Sequence, residues 1–513
     1  MKLLDCTLRD GGYYTNWDFD HNLVETYIES FNHLPVDYIE IGYRSNPLRG
    51  YLGEFFYCPV YLMESIKNQT NKKLAIILNE KDVASSDAKK LLIPCKDYIE
   101  LIRIAVNPDN FERALKLGEE IKKLGFEVSF NLMYMSEWKN NSKIINSLPK
   151  INGIVDYLYL VDSFGGVYPE DVKNTMQIVR NKTTAKIGFH GHNNLELALA
   201  NSLTAIENGI DIVDGTITGM GRGAGNLKME LLLTVLQAKE TIDFDFNWFS
   251  KVIDPFREMQ KNYEWGTNLP YMFSGANSIP QKQVMEWVSK RYYSFNSIIR
   301  ALTNRSRGVK DNQRLDTFDF STIDSFKSAL IVGGGPNAVH HSNALNLFLK
   351  NHPEIALIHA SSKNAMSFQN VDNDQYFCLV GNEGHRLEKV FNSVNEINGK
   401  CILPPYPREM GTYIPSALED QSFELEKVDF TNRYTDTHTT LALQTAINLG
   451  VDQIYFSGYD GYSGDNIKQK DQELFIENDL LFEDCKKVLG DSLISLTPTK
   501  YNKLTQSTVY SYL

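Results

Sequence analysis

Residues 1–225 alternate eight short apolar runs with longer amphipathic stretches, and that rhythm restricts the chain to very few folds. The runs fall at 2–8, 37–43, 73–78, 98–106, 127–133, 155–162, 185–190 and 210–217. Helix-like stretches at 109–124, 170–180 and 193–208 lie between them. Short apolar runs separated by helical patterns build parallel β/α units. Eight such units predict a closed (β/α)8 TIM barrel; an open doubly wound sheet is the alternative. Barrel chemistry sits at the C-terminal strand ends. Arg9, Asp10, Glu40, Arg103, Ser163, His190 and His192 all fall at or near such ends.

The remaining chain reads differently. Residues 241–320 are rich in aromatics and predict a helical appendage, with Trp265–Gly275 inside it as a turn or loop and 303–325 as a polar linker. A new α/β pattern starts at Ser328, with further strand candidates at 354–361, 376–382, 400–404, 451–457 and 492–497. These six strands predict an open, Rossmann-like α/β sheet. The expected domains are 1–240, 241–320 and 321–513.

Composition narrows the function classes. A net charge of −12 argues against a nucleic-acid-binding face, which needs a basic stripe. The six cysteines have no metal or disulfide spacing and suit a reducing compartment. No apolar run approaches the ~18 residues of a membrane span. Asp5, Arg9 and Asp10 interrupt any signal peptide early. A cytoplasmic protein with no membrane partner is the expectation.

Within the barrel pattern, Lys186-Ile-Gly-Phe-His-Gly-His-Asn-Asn194 carries the chemistry. His190 and His192 are two apart at a strand end, so both imidazoles face one side. Asp10 can add a carboxylate. Two histidines and one carboxylate hold a divalent metal with positions left open for substrate. Oxygen and nitrogen ligands without thiolate favour Mn²⁺ or Mg²⁺, with Zn²⁺ and Co²⁺ also compatible. Such a metal suits a 2-oxo acid, whose keto and carboxylate oxygens chelate it. Arg9 can face the developing enolate oxygen as a second electrophile. Ser163 either holds the substrate carboxylate or is a turn residue before glycines. Arg103 is a further candidate for substrate binding. Glu40, buried inside strand two, needs a cation and can pair with Arg9. The loop Thr218–Asn226 either binds an anion or is a plain turn, and Asn226 can reach the metal or its water. No lysine stands at an inner strand end; Lys186 starts strand seven, which speaks against Schiff-base chemistry.

Thr7-Leu-Arg-Asp-Gly11, Glu40-Ile-Gly42, Asp162-Ser163, His190-Gly-His-Asn-Asn194 and Gly221-Arg-Gly-Ala-Gly-Asn226 together resemble the DRE-TIM metallolyases. That superfamily includes HMG-CoA lyase, isopropylmalate synthase and 4-hydroxy-2-oxovalerate aldolase. The resemblance implies metal ligands at Asp10, His190 and His192, an enolate-stabilising Arg9 and its supporting Glu40. Gly221-Arg222-Gly223 lacks the glutamate usual in acyl-CoA-condensing members, which tilts the resemblance toward the aldolases. Pro270–Gly275 is similar to the post-barrel segment of those aldolases and implies an active-site tyrosine at Tyr271. Where they carry a histidine acid/base, this chain has Tyr13. The base is then Tyr13, a metal-bound water or another group.

In the C-terminal pattern, Gly333-Gly-Gly-Pro-Asn337 fits a phosphate-cradling turn. Gly334, Gly335 and Asn337 are candidates to bind a nucleotide or nucleotide sugar. The next strand ends without the acid that would hold an NAD ribose. The segment faintly resembles pterin diphosphokinase-like and bacterial sialyltransferase domains. The alternative is a scaffold that packs or mediates oligomers; a homo-oligomer is expected. The main reading is a divalent-metal-dependent aldolase or lyase using a pyruvate-type enolate, with a 2-oxo acid and an aldehyde as small-molecule partners. The faint resemblance suggests sugar or surface-polysaccharide metabolism. The alternatives are a Claisen-type acyl-CoA synthase and a non-catalytic metal-binding or scaffold protein.

Overall fold

The computed structural model describes residues 1–289, 293–309, 314–323, 326–391, 394, 397–462 and 469–513. They form two compact units, Met1–Glu286 and Trp287–Leu513. In the first, β1 (Lys2–Asp5), β2 (Tyr38–Tyr43), β3 (Lys73–Asn79), β4 (Leu101–Val106), β5 (Glu127–Leu132), β6 (Tyr157–Asp162), β7 (Lys186–Gly191) and β8 (Ile212–Gly215) run in parallel and close in chain order. Closure is made by β1, which sets Leu4 opposite Tyr38 of β2 and Leu3 opposite Val213 of β8. The first unit is a (β/α)8 TIM barrel.

Helices cover the barrel through one apolar face each. In Phe111–Lys123 the buried positions Phe111, Ala114, Leu115, Leu117, Gly118 and Ile121 recur at helical spacing. Inside the barrel, Leu4, Ala75, Leu101 and Ile212 pack with Tyr157 and Tyr159. Lys2 closes the N-terminal end, its Nζ donating to the Tyr38 and Tyr157 hydroxyls at 3.1 and 2.9 Å. Lys186 lies over the Tyr157 ring at this same end, away from the site.

The first strand ends earlier than the apolar run 2–8 suggests. The Asp5 carboxylate accepts from the Thr7 amide at 2.8 Å and the Tyr27 hydroxyl at 2.6 Å, turning the chain out of the sheet. The Asp10 amide then donates to the Cys6 carbonyl at 2.9 Å, and the helix Thr7–Thr15 begins. Arg9 and Asp10 therefore lie on a helical turn over the barrel mouth. The alternation of a strand does not apply to them.

Beyond the barrel strands, helices run over Asn247–Tyr263, Leu269–Ala276 and Phe295–Ser306. The segment Trp265–Gly275, expected as a turn, contains the second of these. Asn268 caps it by accepting from the Tyr271 amide at 3.1 Å, and Pro270 sits in its first turn. The expected linker 303–325 begins inside the helix Phe295–Ser306; its residues 310–313 and 324–325 lie outside those described. Among the described residues, no helix is long and apolar enough to cross a membrane.

The second unit holds β9 (Ser328–Val332), β10 (Ile355–His359), β11 (Gln375–Cys378), β12 (Lys400–Leu403), β13 (Ser422–Glu424), β14 (Gln453–Ser457), β15 (Leu493–Ser495) and β16 (Thr505–Gln506). They form one parallel sheet in the order β13-β12-β11-β10-β9-β14-β15-β16. This is a doubly wound sheet with eight strands. The two unanticipated ones, β13 and β16, are edge strands of three and two residues, too short for any periodicity to register. The winding reverses between β9 and β14, the place where such sheets usually bind ligands.

The glycine turn after β9 lies at this reversal, but the neighbouring loop has already closed on it. Gly333 and Gly335 donate to the Ser457 and Gly458 carbonyls, both at 2.8 Å. The Asn337 amide donates to the Asp460 carboxylate at 3.0 Å. The amides expected to cradle a phosphate at Gly335 and Asn337 are thus satisfied internally. Gly334 faces a cavity of ≈ 420 Å³, with Lys363 Nζ donating to its carbonyl at 3.0 Å. A Cβ at Gly335 would fall 2.6 Å from the Gly458 carbonyl oxygen and 2.7 Å from the Asp460 carboxylate. Gly335→Ala should therefore destabilise the second unit by about 1–3 kcal/mol, the usual scale of overpacking. Urea unfolding of both proteins would measure it, and an unchanged midpoint would show that the two loops separate freely.

Candidate active site

The barrel mouth is built around a closed circuit of buried charge. Arg9 ion-pairs with Asp10 through Nη1 and donates from Nε to Glu40 at 2.8 Å. Glu40 also accepts from Arg103 at 3.0 Å, and Arg103 pairs with Asp214 at 2.5 Å. Asp214 accepts from His190 Nδ1 at 3.0 Å, and His190 Nε2 returns to within 3.8 Å of Asp10. Strands β2, β4, β7 and β8 and the first helix thus each contribute a charged or titratable group to one circuit. Burial alone would raise the Asp10 carboxyl, but Arg9, His190 and His192 outweigh it and hold it below the usual range. Burial likewise opposes ionisation of Asp214, and Arg103 and His190 overcome it.

Both histidines present the same nitrogen to the centre. His190 Nδ1 donates to Asp214, and His192 Nδ1 donates to the Asp162 carbonyl at 2.7 Å. Each neutral ring then keeps its lone pair on Nε2, the tautomer that metal-binding histidines adopt when a carboxylate or carbonyl holds the other nitrogen. Burial first, and then His190, lowers His192 to about 3, so its ring is neutral. His190 Nε2 and an Asp10 carboxylate oxygen face each other at 3.8 Å, too far apart for a hydrogen bond. Asn226 donates to Asp10 at 2.7 Å, while its own Oδ1 is buried without a hydrogen-bond partner. An imidazole nitrogen, a carboxylate oxygen and an orphaned carbonyl oxygen around one spot are a nitrogen–oxygen donor set that suits a cation, so Asp10, His190 and Asn226, with His192 beside them, could hold a divalent metal. Among the described residues Cys6, His190 and Asp214 have ligand atoms within 4.8 Å of one another, a closeness that Asp10, His190 and His192 do not reach. The chemistry of the Cys6 cluster is wrong for an ion. Burial pushes the Cys6 thiol well up, which disfavours the thiolate a metal needs, and Asp214 spends Oδ2 on Arg103 and His190, keeping only Oδ1 unpartnered.

A cavity of ≈ 280 Å³ opens above these groups, lined by Arg9, Asp10, Tyr13, Tyr43, Ser163, His190, His192, Arg222 and Gln281 among others. The Tyr13 and Tyr43 hydroxyls are 2.9 Å apart. Ser163 Oγ accepts from the Tyr134 amide at 2.8 Å, which leaves its own proton to donate. Two candidates lie elsewhere. Arg103 is fully buried beneath the cavity, stacked on Tyr159 and bonded to Glu40, Asp214 and Asn131, so it positions other groups and does not touch substrate. Tyr271 is buried against the Gly223 turn and is not part of the cavity wall. Its helix acts through Asn194, which donates to the Tyr271 carbonyl at 3.0 Å and accepts from Gln281, itself a wall residue. The loop Thr218–Asn226 does not offer an amide nest: Gly219, Gly223, Gly225 and Asn226 donate to the Thr216 carbonyl, Tyr14 hydroxyl, Arg222 carbonyl and Gly219 carbonyl.

Sequence reasoning did not find Asp214, Asn131, Tyr43 or Arg222. A trace of Asp214 was available, as a carboxylate inside the otherwise uncharged run Ile212-Val-Asp-Gly215.

Residues 1–253 match the HMGL-like family. A 4-hydroxy-2-oxovalerate aldolase of Geobacillus genomosp. 3 is 30% identical over 248 residues, 46% of this chain and 70% of its own length. The oxaloacetate decarboxylase of Mycobacterium tuberculosis is 26% identical over 320 residues, 60% of this chain and 92% of its own. The solved N-terminal domain of a Bacteroides vulgatus protein is 53% identical, with a TM-score of 0.56; the match covers 59% of this chain and all of that one. The chain belongs, through its barrel, to the HMGL-like family.

Two outcomes follow from the site geometry. Asp214→Asn should weaken Mn²⁺ binding about 10–100-fold, the usual cost of losing a partner behind a histidine ligand; titration of free Mn²⁺ by electron paramagnetic resonance would read it, and unchanged affinity would show that His190 needs no such support. The second concerns pH. In the unfolded chain a histidine binds its proton below about 6.5, whereas folded His192 stays neutral down to about 3. Stability should therefore fall as pH drops through that window. Asp162 opposes this, because burial raises it to about 6 despite the Val167, Gly166 and Gly165 amides. Comparing urea midpoints of wild type and His192→Gln isolates the histidine part: the variant should lose acid sensitivity, and parallel curves would refute a neutral His192.

Proposed function

We propose that the barrel is a divalent-metal-dependent aldolase that forms or cleaves a carbon–carbon bond of a 2-oxo acid through a pyruvate-type enolate. One observation carries the reading. His190 sets Nε2 3.8 Å from an Asp10 carboxylate oxygen, the His192 ring lies beside it with centroids 5.0 Å apart, and Arg9 is ion-paired to that same carboxylate. The names of two relatives, a decarboxylase of oxaloacetate and an aldolase of 4-hydroxy-2-oxovalerate, support it, because both reactions break a bond next to a 2-oxo acid.

The bound metal supplies a Lewis acid for the keto oxygen. The protein supplies the rest. Arg9 has committed Nε to Glu40 and Nη1 to Asp10, which leaves Nη2 to face the developing oxyanion. Ser163 donates its hydroxyl to the substrate carboxylate. Tyr13, paired with Tyr43 and covered by the Arg222 guanidinium, gives its phenolic proton to the aldehyde oxygen during condensation, and the phenolate so formed takes the hydroxyl proton back during cleavage. Glu40, Arg103 and Asp214 keep Arg9 and His190 in place without touching substrate.

Deuterium exchange at the methyl group of pyruvate, followed by proton NMR with Mn²⁺ or Mg²⁺ present, tests this directly. Chelation should abolish exchange, and borohydride with pyruvate should leave the protein unmodified. Arg9→Ala should lower the exchange kcat by ~10²-fold or more, as for removal of an oxyanion donor. Exchange that persists in chelator, or covalent trapping, would overturn the reading.

A further inference from the structure

Arg222 is the exception among the arginines of the barrel mouth. Arg9 and Arg103 each hold two carboxylates. Arg222, mostly buried, makes no side-chain hydrogen bond or ion pair among the described residues. Its guanidinium only covers the Tyr13 ring, 4.2 Å from the centroid. Its backbone is firmly held. The Gly225 amide donates to the Arg222 carbonyl at 3.1 Å, and the Gly223 amide donates to the Tyr14 hydroxyl at 3.1 Å. Gly223 has φ 63°, and a Cβ there would fall 2.9 Å from the Tyr271 ring, so the turn that aims Arg222 depends on glycine.

A largely buried cation without a counter-charge is costly unless something else supplies the anion. Here the guanidinium lines the cavity that holds Asp10, His190 and His192, with Lys282 on the same wall. The carboxylate next to the keto group is already provided for by the metal site and Ser163. A planar fork of donors matches a carboxylate in two-bond geometry. We infer that Arg222 receives a second carboxylate, at the far end of the 2-oxo acid. This rests on the proposed 2-oxo acid chemistry and narrows its substrate class to 2-oxo dicarboxylates.

Two matched pairs of acids test it without turnover: 2-oxovalerate against 2-oxoglutarate, and 2-hydroxybutyrate against malate. Within each pair the chain length is equal, and only the terminal methyl becomes a carboxylate. Calorimetric titration of the Mn²⁺-loaded protein should show the dianion binding at least about tenfold tighter in one pair, equal to about 1.4 kcal/mol. Arg222→Ala should bring that ratio to within about twofold, Arg222→Lys should keep part of it, and Arg222→Gln, which retains a planar group over Tyr13, should lose it while melting near wild type. Equal binding within both pairs, or equal weakening of both members in the variants, would overturn the inference and leave the 2-oxo acid reading standing. If none of the four acids binds wild type, both fall together.

Discussion

The pairing of Glu40 with two arginines is the interaction on which the barrel site depends. Glu40 is fully buried, and its Oε2 accepts from both Arg9 and Arg103. Through Arg9 it fixes Asp10; through Arg103 it fixes Asp214 and then His190. Removing one partner of such a buried pair costs about 3–5 kcal/mol, because the remaining charge has no water to turn to. Replacing the whole circuit with apolar side chains could leave the fold intact, since buried ion pairs seldom stabilise more than packing does. What the circuit does is orient a guanidinium, a carboxylate and an imidazole around one cavity.

The eight barrel strands were legible in the sequence because each is an apolar run long enough to stand out between amphipathic helices. The metal-type constellation was legible for the same reason, as polar residues at the ends of apolar runs are conspicuous. The first strand was misjudged at its end because Leu8 prolongs the apolar run, whereas the chain obeys the Asp5–Thr7 hydrogen bond and turns. Arg103 was misjudged because a sequence shows that an arginine lies in a strand but not how far down the barrel it sits. Its partner Asp214 lies 111 residues away, a pairing that only closure of the barrel creates. Tyr271 was expected at the site from the resemblance alone, and its segment was read as a loop although Asn268 and Pro270 are both helix-start residues.

The two glycine-rich turns of the chain make a parallel case. Both Thr218–Asn226 and Gly333–Asn337 look in sequence like anion cradles. In both, most of the backbone amides are met by nearby oxygens of the same unit. The glycines are there for close approach of neighbouring chain segments. What each turn offers a ligand is therefore a side chain or an open edge. In the barrel it is Arg222 and Asn226. In the second unit it is the exposed face of Gly334, beside Lys363.

The charge balance ties these parts together. In the circuit three carboxyl groups, Asp10, Glu40 and Asp214, face two guanidiniums, Arg9 and Arg103, with His192 neutral. The formal charges of those five side chains sum to one negative charge, which suits a divalent cation and would become one positive charge with it bound. A monoanionic 2-oxo acid would cancel that charge and leave Arg222 alone in a largely buried cavity. A dianionic one cancels both. An unmatched charge in a largely buried cavity is costly, so on the proposed chemistry the arrangement that ends neutral is the favoured one. Selectivity for substrate charge then follows from the same electrostatics that hold the metal ligands in place.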